Sequence, residues 1–161
     1  MTLPIIFSAL LTASTISLNS FSSKLNVVVI GANGGLGKAF VKAFEADDKV
    51  NSIYAFSRKI KVSENKKTHY SSIDIEDEES IKQAVEEAIN RLGGLDILIN
   101  NAGLLVSQTL GNIDYEQMEK MFRVNAMGPL RVTEVLLGHL TEGAKVALIT
   151  SRMGSVEDNS S

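Results

Sequence analysis

The chain contains no cysteine. Disulfides, thiolate metal sites and cysteine nucleophiles are thereby excluded, and a reducing compartment is suited. Histidine is scarce: His69 and His139 are isolated in the sequence, so neither is given a metal or catalytic role, and no metal site is expected. There is no basic cluster. With Lys+Arg 16 against Asp+Glu 19, the formal charge of -3 argues against a nucleic-acid partner. A long hydrophobic run is also lacking. The stretch from Leu3 to Leu11 is broken by Pro4 and Ser8, and it is too short to span a bilayer. It could form the apolar part of a secretory signal, with Ala13 near a cleavage point. However, no Lys or Arg precedes it, and the Arg expected of a mitochondrial signal does not occur before Arg58. Residues 1–24 therefore read as an N-terminal extension, disordered or weakly targeting, on a cytoplasmic protein. Repeats and dividing linkers are missing too, so residues 25–161 read as one domain.

What is present fits a soluble globular core: 44% hydrophobic and 22% charged residues over 161 positions. Strand patterns at Leu25–Ile30, Ser52–Phe56, His69–Ile75, Leu95–Ile99 and Ala144–Ile149 alternate with helical ones. Gly34 to Ala46 places Leu36, Ala39, Phe40, Ala43 and Phe44 on one face, and Ser80 to Leu92 is a second amphipathic helix stopped by Gly93-Gly94. Asp114 to about Leu140 reads as one long helix, N-capped by Asp114 and kinked or loosened at Pro129. Such alternation implies an α/β fold: a Rossmann-like, doubly wound parallel sheet of about five strands in the order 3-2-1-4-5. A ligand is expected at the carboxyl ends of the strands, beside the first one.

The chemistry-bearing motifs fall at those ends. Gly31-Ala-Asn33-Gly34-Gly35-Leu36-Gly37 joins the first strand to the first helix. Its glycines let backbone approach a pyrophosphate, and the helix N-terminus favours the anion. Two spacings are open: Gly31, Gly34 and Gly37, or Gly31, Gly35 and Gly37. At the end of the second strand, where a carboxylate would bind the ribose of NAD, the sequence offers Ser57 and Arg58. A hydroxyl and a guanidinium suit a 2′-phosphate, so NADP(H) is favoured over NAD(H).

Asn100-Asn101-Ala102-Gly103 follows the fourth strand, Val124-Asn125-Ala126 lies in the long helix, and Ile149-Thr-Ser151-Arg152 follows the fifth strand. Together with the glycine loop, these segments resemble the classical short-chain dehydrogenase/reductase family over about residues 25 to 156. The stretch from Ile149 to Asn159 also resembles the C-factor-type subgroup. The resemblance implies that Asp74 and Ile75 approach the adenine and that Asn101, Ala102 and Gly103 line the ribose side. It further implies that Asn125 helps hold a water in a proton relay, and that Ser151 hydrogen-bonds the substrate carbonyl oxygen. The family's acid, a Tyr three residues before a Lys, is expected about a dozen residues beyond Ser151, and no residue here matches it. The reading is thus a truncated or fragmentary NADP-dependent oxidoreductase acting on a small-molecule carbonyl or alcohol. The alternatives are a non-catalytic dinucleotide-binding protein or redox sensor, and an extended-type sugar-nucleotide epimerase. Truncation is further expected to leave the fifth strand as an open edge and to uncover the apolar face around Val132, Val135, Leu136 and Leu140. Assembly into a homo-oligomer is left open.

Overall fold

The computed structural model describes residues 6–7 and 24–151. The rest of the N-terminal extension and the polar tail from residue 154 to 161 lie outside the described residues. In chain order the elements are β1 (Ile6–Phe7), β2 (Leu25–Ile30), α1 (Gly35–Ala46), β3 (Val50–Ser57), β4 (Thr68–Ser72), α2 (Glu78–Leu92) and β5 (Leu95–Asn100). Then come α3 (Tyr115–Phe122), a π turn (Arg123–Met127), α4 (Gly128–Leu136), a 3-10 turn (Leu137–His139) and β6 (Leu140–Leu148). The sheet is parallel, with strand order β1-β6-β5-β2-β3-β4. Counted from β2, the five longer strands run 3-2-1-4-5, as the alternation predicts.

Strand alternation divides the core into two layers. Val28, Ile30, Tyr54, Phe56 and Leu98 point to one face and pack under α2 and α4. Val27, Val29, Ile53, Ala55, Ile97 and Ile99 point to the other, against Phe40, Val41 and Phe44 of α1. Because both faces of β2, β3 and β5 are covered, each carries an unbroken apolar run, Val27–Ile30, Ile53–Phe56 and Ile97–Ile99. Each fully buried large side chain contributes roughly 1.5–3 kcal/mol. Helix α2 is delimited as its sequence suggests: the Asp77 carboxylate accepts the Glu79 and Ser80 N–H groups, and Gly93 takes the left-handed conformation at φ 72.

At the amino ends of the strands, buried Asp96 accepts the Asn26 N–H at 2.8 Å and the Thr141 hydroxyl at 2.6 Å. The Asn26 amide donates in turn to the Leu92 and Gly94 carbonyls. The register shifts at Leu25/Asn26 and Leu95/Ile97 lie at this cluster, which pins β2, β5 and β6 together across both irregularities.

Several sequence expectations are corrected. The long helix from Asp114 to Leu140 is three pieces: α3, a π turn and α4, ending in the short 3-10 turn. Asp114 does cap α3, accepting the Gln117 N–H at 3.0 Å. The loosening falls just before Pro129, which occupies the first turn of α4, where a missing N–H costs least. Leu140 begins β6 instead of ending a helix. The third expected strand, His69 to Ile75, stops at Ser72 as β4; Ile73 and Ile75 keep their buried positions in the following loop. The fifth expected strand is not an open edge along its whole length, because Ile6 and Phe7 pair with Ala147 and Leu148. An edge strand offers free N–H and C=O groups, and β1 takes up some of them. The face around Val132 and Leu136 is not uncovered either. Both are fully buried against the sheet and α2, with Val135 and Leu140 packed beside them, while the exposed apolar residues of this region are Leu130 and Leu137.

Candidate functional site

The loops after β2, β3, β4 and β5 enclose a cavity of about 640 Å³. From the glycine loop, Gly31, Asn33 and Gly34 line it. Gly31 has φ 82, and a Cβ there would stand 2.6 Å from the Ala102 nitrogen. Gly37 lies beneath the loop, where a Cβ would come within 2.1 Å of the Gly31 oxygen. These two glycines are dictated by internal packing. Gly34 and Gly35 are not: the nearest atom to a Cβ on Gly34 is 3.6 Å away, and nothing lies within 4 Å of one on Gly35. Internal packing therefore leaves both spacings of the middle glycine open. It also leaves the backbone between Asn33 and Leu36 accessible.

Helix α1 differs from its neighbours at its N-terminus. Helix α2 is capped by Asp77 and has Glu78 and Glu79 in its first turn; α3 is capped by Asp114 and has Glu116. Helix α1 has Gly34 at its N-cap, with no side-chain cap and no acid in its first turn. Its leading N–H groups and its positive dipole end are thus available to an anion.

Asparagine side chains hold the loops in place. Asn33 donates to the Ser57 hydroxyl at 2.7 Å and to the Lys59 carbonyl at 2.6 Å, and the Ser57 hydroxyl donates to the same carbonyl at 2.6 Å. Ser57 lines the cavity, but its hydrogen is already committed. The Asn33 Oδ1 is buried without a partner, an acceptor awaiting a donor. Asn101 also lines the cavity, and its amide donates to the Gly31 oxygen at 3.0 Å. Asn125 is exposed, outside the cavity lining, and joined twice to Leu104. Its Oδ1 accepts the Leu104 N–H at 2.8 Å and its amide donates to the Leu104 carbonyl at 2.7 Å. The π turn that carries Asn125 is closed by the Gly128 N–H donating to the Arg123 oxygen. Pro129 has no N–H, so the carbonyl four residues back, that of Asn125 itself, loses the donor an ordinary helix would supply.

Of the remaining residues singled out from sequence, Arg58, Asp74, Ile75, Ala102 and Gly103 line the cavity. Arg58 is exposed and makes no hydrogen bond or ion pair among the described residues. No acidic residue stands beside it at the end of β3. Leu36 is exposed at the head of α1, and with Gly35, Gly37, Asn125 and Ser151 it lies outside the lining. Ser151 is the last described residue and is exposed. Sequence reasoning missed Lys59, Glu76, Leu104, Lys120 and Val124, all of which line the cavity. Lys120 and Val124 are one helical turn apart, a spacing that could have flagged them as a shared face.

None of the three tyrosines lines the cavity. Burial, and then the Glu87 carboxylate beside it, raises the pKa of Tyr54 above the usual phenol value; burial and Glu45 do the same for Tyr70. Tyr115 is exposed on α3. Among the described residues no group of three or more His, Asp or Glu is arranged to hold a metal ion, and no helix is long and apolar enough to cross a membrane.

A parallel α/β sheet with a glycine turn and an uncapped helix at its central cavity defines the class of dinucleotide-binding folds. Comparison with known proteins narrows this. The short chain dehydrogenase family model matches residues 25–160, and the chain belongs to that family. It is 50% identical over 70 residues to the C-signal protein of Myxococcus xanthus, covering 42% of each chain, in keeping with the C-factor-type resemblance. It is 28% identical over 140 residues to the NADPH-dependent aldehyde reductase 1, chloroplastic, of Arabidopsis thaliana, covering 77% of this chain and 48% of that one. Among solved structures, the NADPH-bound carbonyl reductase from chicken fatty liver superposes with a TM-score of 0.75 at 26% identity. That match covers 84% of this chain and 63% of the other. The chain spans about half the length of the curated relatives it matches.

Proposed function

We propose that this chain binds NADP(H) in the cavity at the carboxyl ends of β2 to β5, as the nucleotide-binding part of an oxidoreductase acting on a small-molecule carbonyl or alcohol. The observation that carries the reading is the N-terminus of α1. It is uncapped and acid-free, whereas α2 and α3 are both capped by aspartate. A pyrophosphate fits there on backbone N–H groups. Asn33 Oδ1, the orphaned acceptor, would be satisfied by a ribose hydroxyl. Unpaired Arg58, next to Lys59 and with no carboxylate at the end of β3, fits a 2′-phosphate better than a free 2′-hydroxyl. Asp74 and Ile75 would meet the adenine, and Asn101 to Gly103 the ribose side.

When bound, the nicotinamide supplies hydride transfer. This chain's residues bind and orient it. Asn101 fixes the glycine loop, Asn33 fixes the exit of β3, and Asn125 fixes Leu104 and is the residue proposed to help hold a water in a proton relay. Ser151, following β6, is the residue proposed to bond the substrate oxygen. The likeness to an NADPH-dependent aldehyde reductase and to an NADPH-bound carbonyl reductase supports the cofactor and the carbonyl substrate class.

The test is a fluorescence titration with NADPH and NADH on the unaltered chain and on Arg58→Ala. The variant should lose roughly tenfold or more in NADPH affinity, the weight of a charge-assisted phosphate contact, and little in NADH affinity. Equal loss for both cofactors would refute the assignment of the 2′-phosphate to Arg58.

A further inference from the structure

The π turn directs three consecutive side chains to three parts of the cavity wall. Val124 lines the cavity, Asn125 holds Leu104, and Arg123 reaches across to the loop between β4 and α2, where its Nε lies 3.2 Å from Glu76 Oε1. The ion pairs among the described residues are not equivalent. Lys82–Glu78 and Arg123–Glu119 link residues four apart on the helical surface, with carboxylates 71% and 69% exposed. Glu76 is 25% exposed, lies 47 residues from Arg123 in sequence and lines the cavity itself. Arg131 adds a bond from Nη1 to the Glu76 carbonyl at 3.2 Å. A separate observation points the same way. Ile75 presses on the backbone of Gly128, where a Cβ would come within 2.7 Å of Ile75 Cδ1. Within the loop, Asp74 Oδ1 accepts the Glu76 N–H at 3.0 Å. The loop follows the last paired residue of β4, so these contacts, with the Ser80 hydroxyl on the Asp74 N–H, hold its position.

Resting on the dinucleotide reading, we propose that Arg123 and Glu76 are positioning residues whose ion pair seats the Asp74–Glu76 loop against the π turn. The adenine-facing wall and the Gly103–Leu104 wall are then set as one unit. An arginine suits this place because its fork serves two carboxylates at once, Nε toward Glu76 and Nη1 toward Glu119 at 2.6 Å. A lysine has a single ammonium and cannot span both in the same geometry.

The experiment uses the full chain and the variants Arg123→Met, Arg123→Lys and Glu76→Gln. Met keeps an unbranched stem and removes the charge. Two quantities are measured: amide hydrogen exchange in the free chain, and affinity for adenosine 2′,5′-bisphosphate and for nicotinamide mononucleotide. In Arg123→Met and in Glu76→Gln, exchange should quicken at both the Glu76 and Leu104 amides. Bisphosphate affinity should fall roughly 3- to 10-fold, the scale of a half-sheltered ion pair, with mononucleotide affinity unchanged. Arg123→Lys should recover only part of the loss. The proposal is overturned if bisphosphate affinity stays at its original value, if both probes weaken equally, or if exchange at Leu104 does not follow that at Glu76. If Arg123→Met unfolds, Glu76→Gln decides the same points from the other side of the pair. If the unaltered chain binds neither probe, the dinucleotide reading falls, and the linked exchange of the two amides still decides the positioning role.

Discussion

Substituting alanine for Gly37 and, separately, for Gly35 divides the glycine loop into what packing requires and what a ligand requires. At Gly37 the new Cβ would lie 2.1 Å from the Gly31 oxygen, 2.9 Å from the Ala32 Cα and 2.9 Å from the Asn101 amide nitrogen. The first distance is more than ~1 Å inside van der Waals contact. Two of the three neighbours are backbone, and the third is tied to Gly31 by a hydrogen bond, so none can swing away. Relief needs a backbone shift of the loop, at about 1–3 kcal/mol for overpacking, and it breaks the Asn101–Gly31 bond, at about 1 kcal/mol more. Gly37→Ala should therefore lose about 2–4 kcal/mol in urea unfolding. Circular dichroism is the suitable probe, since the chain has no tryptophan.

Gly35→Ala meets nothing within 4 Å. As the first residue of α1 it should fold as well as the unaltered chain or slightly better, because glycine is the more costly residue in a helix. Yet a helical Cβ tilts toward the N-terminus, into the space where an anion would sit on α1. NADPH affinity should fall roughly tenfold or more with stability intact. Full stability in Gly37→Ala would refute the packing argument. Full affinity in Gly35→Ala would show that no pyrophosphate sits at the head of α1.

Other expectations concern stability and pH. Asp96→Ala removes the acceptor of the Asn26 N–H and leaves the Thr141 hydroxyl only the Leu95 carbonyl at 3.3 Å, so it should cost about 1–3 kcal/mol by thermal or urea unfolding; Asp96→Asn should cost less. Gly128→Val would drive Ile75 off the π turn, and it should cost about 1–3 kcal/mol and weaken adenosine bisphosphate binding as well. His69 packs on the Tyr54 ring, and burial, followed by the Arg91 charge, holds its pKa below the usual value, with Glu87 opposing. The unfolded chain then binds the extra proton first. The His69 contribution is complete above the ordinary histidine pKa and is lost as pH falls from there toward the lowered folded value. Unfolding midpoints of the unaltered chain should drop from pH 7.5 to 5.5 more than those of His69→Phe, and parallel profiles would remove His69 from the account.

Regular elements buried on both faces were legible because their composition and their environment agree. The Val-rich β2 and the amphipathic, capped α2 left little choice. The errors share a cause: tertiary partners decided the outcome. Leu140 to Gly143 reads as helix end and turn, yet β5 pairs with Leu140 and again with Lys145, and the intervening residues are carried into β6 across a register shift. Ile73 and Ile75 keep the two-residue period of a strand because the loop buries them without a ladder. A π turn shares its hydrophobic pattern with an α-helix, and only the neighbouring Pro129 hints at it. The ion pair between Glu76 and Arg123 joins residues whose proximity no local pattern encodes.

The motif asparagines make a related point about reading a site from sequence. Asn33, Asn101 and Asn125 each fall in a segment whose motif points to cofactor binding, and a direct ligand contact is the natural first reading. In the fold, each amide is turned to protein: Asn33 to Ser57 and Lys59, Asn101 to Gly31, Asn125 to both peptide groups of Leu104. The chemistry explains the preference. A carboxamide carries a donor and an acceptor, so it can mimic a peptide unit and join loops that cannot pair as strands. What remains to face a ligand is glycine backbone, the head of α1, and charged groups such as Arg58 and Lys120 that form no ion pair among the described residues. Asn33 Oδ1 is the exception, since it belongs to a cavity-lining residue, is buried, and has no partner. An unpaired buried acceptor costs about 1–3 kcal/mol until a donor arrives, and under the proposed cofactor reading a ribose hydroxyl would be that donor.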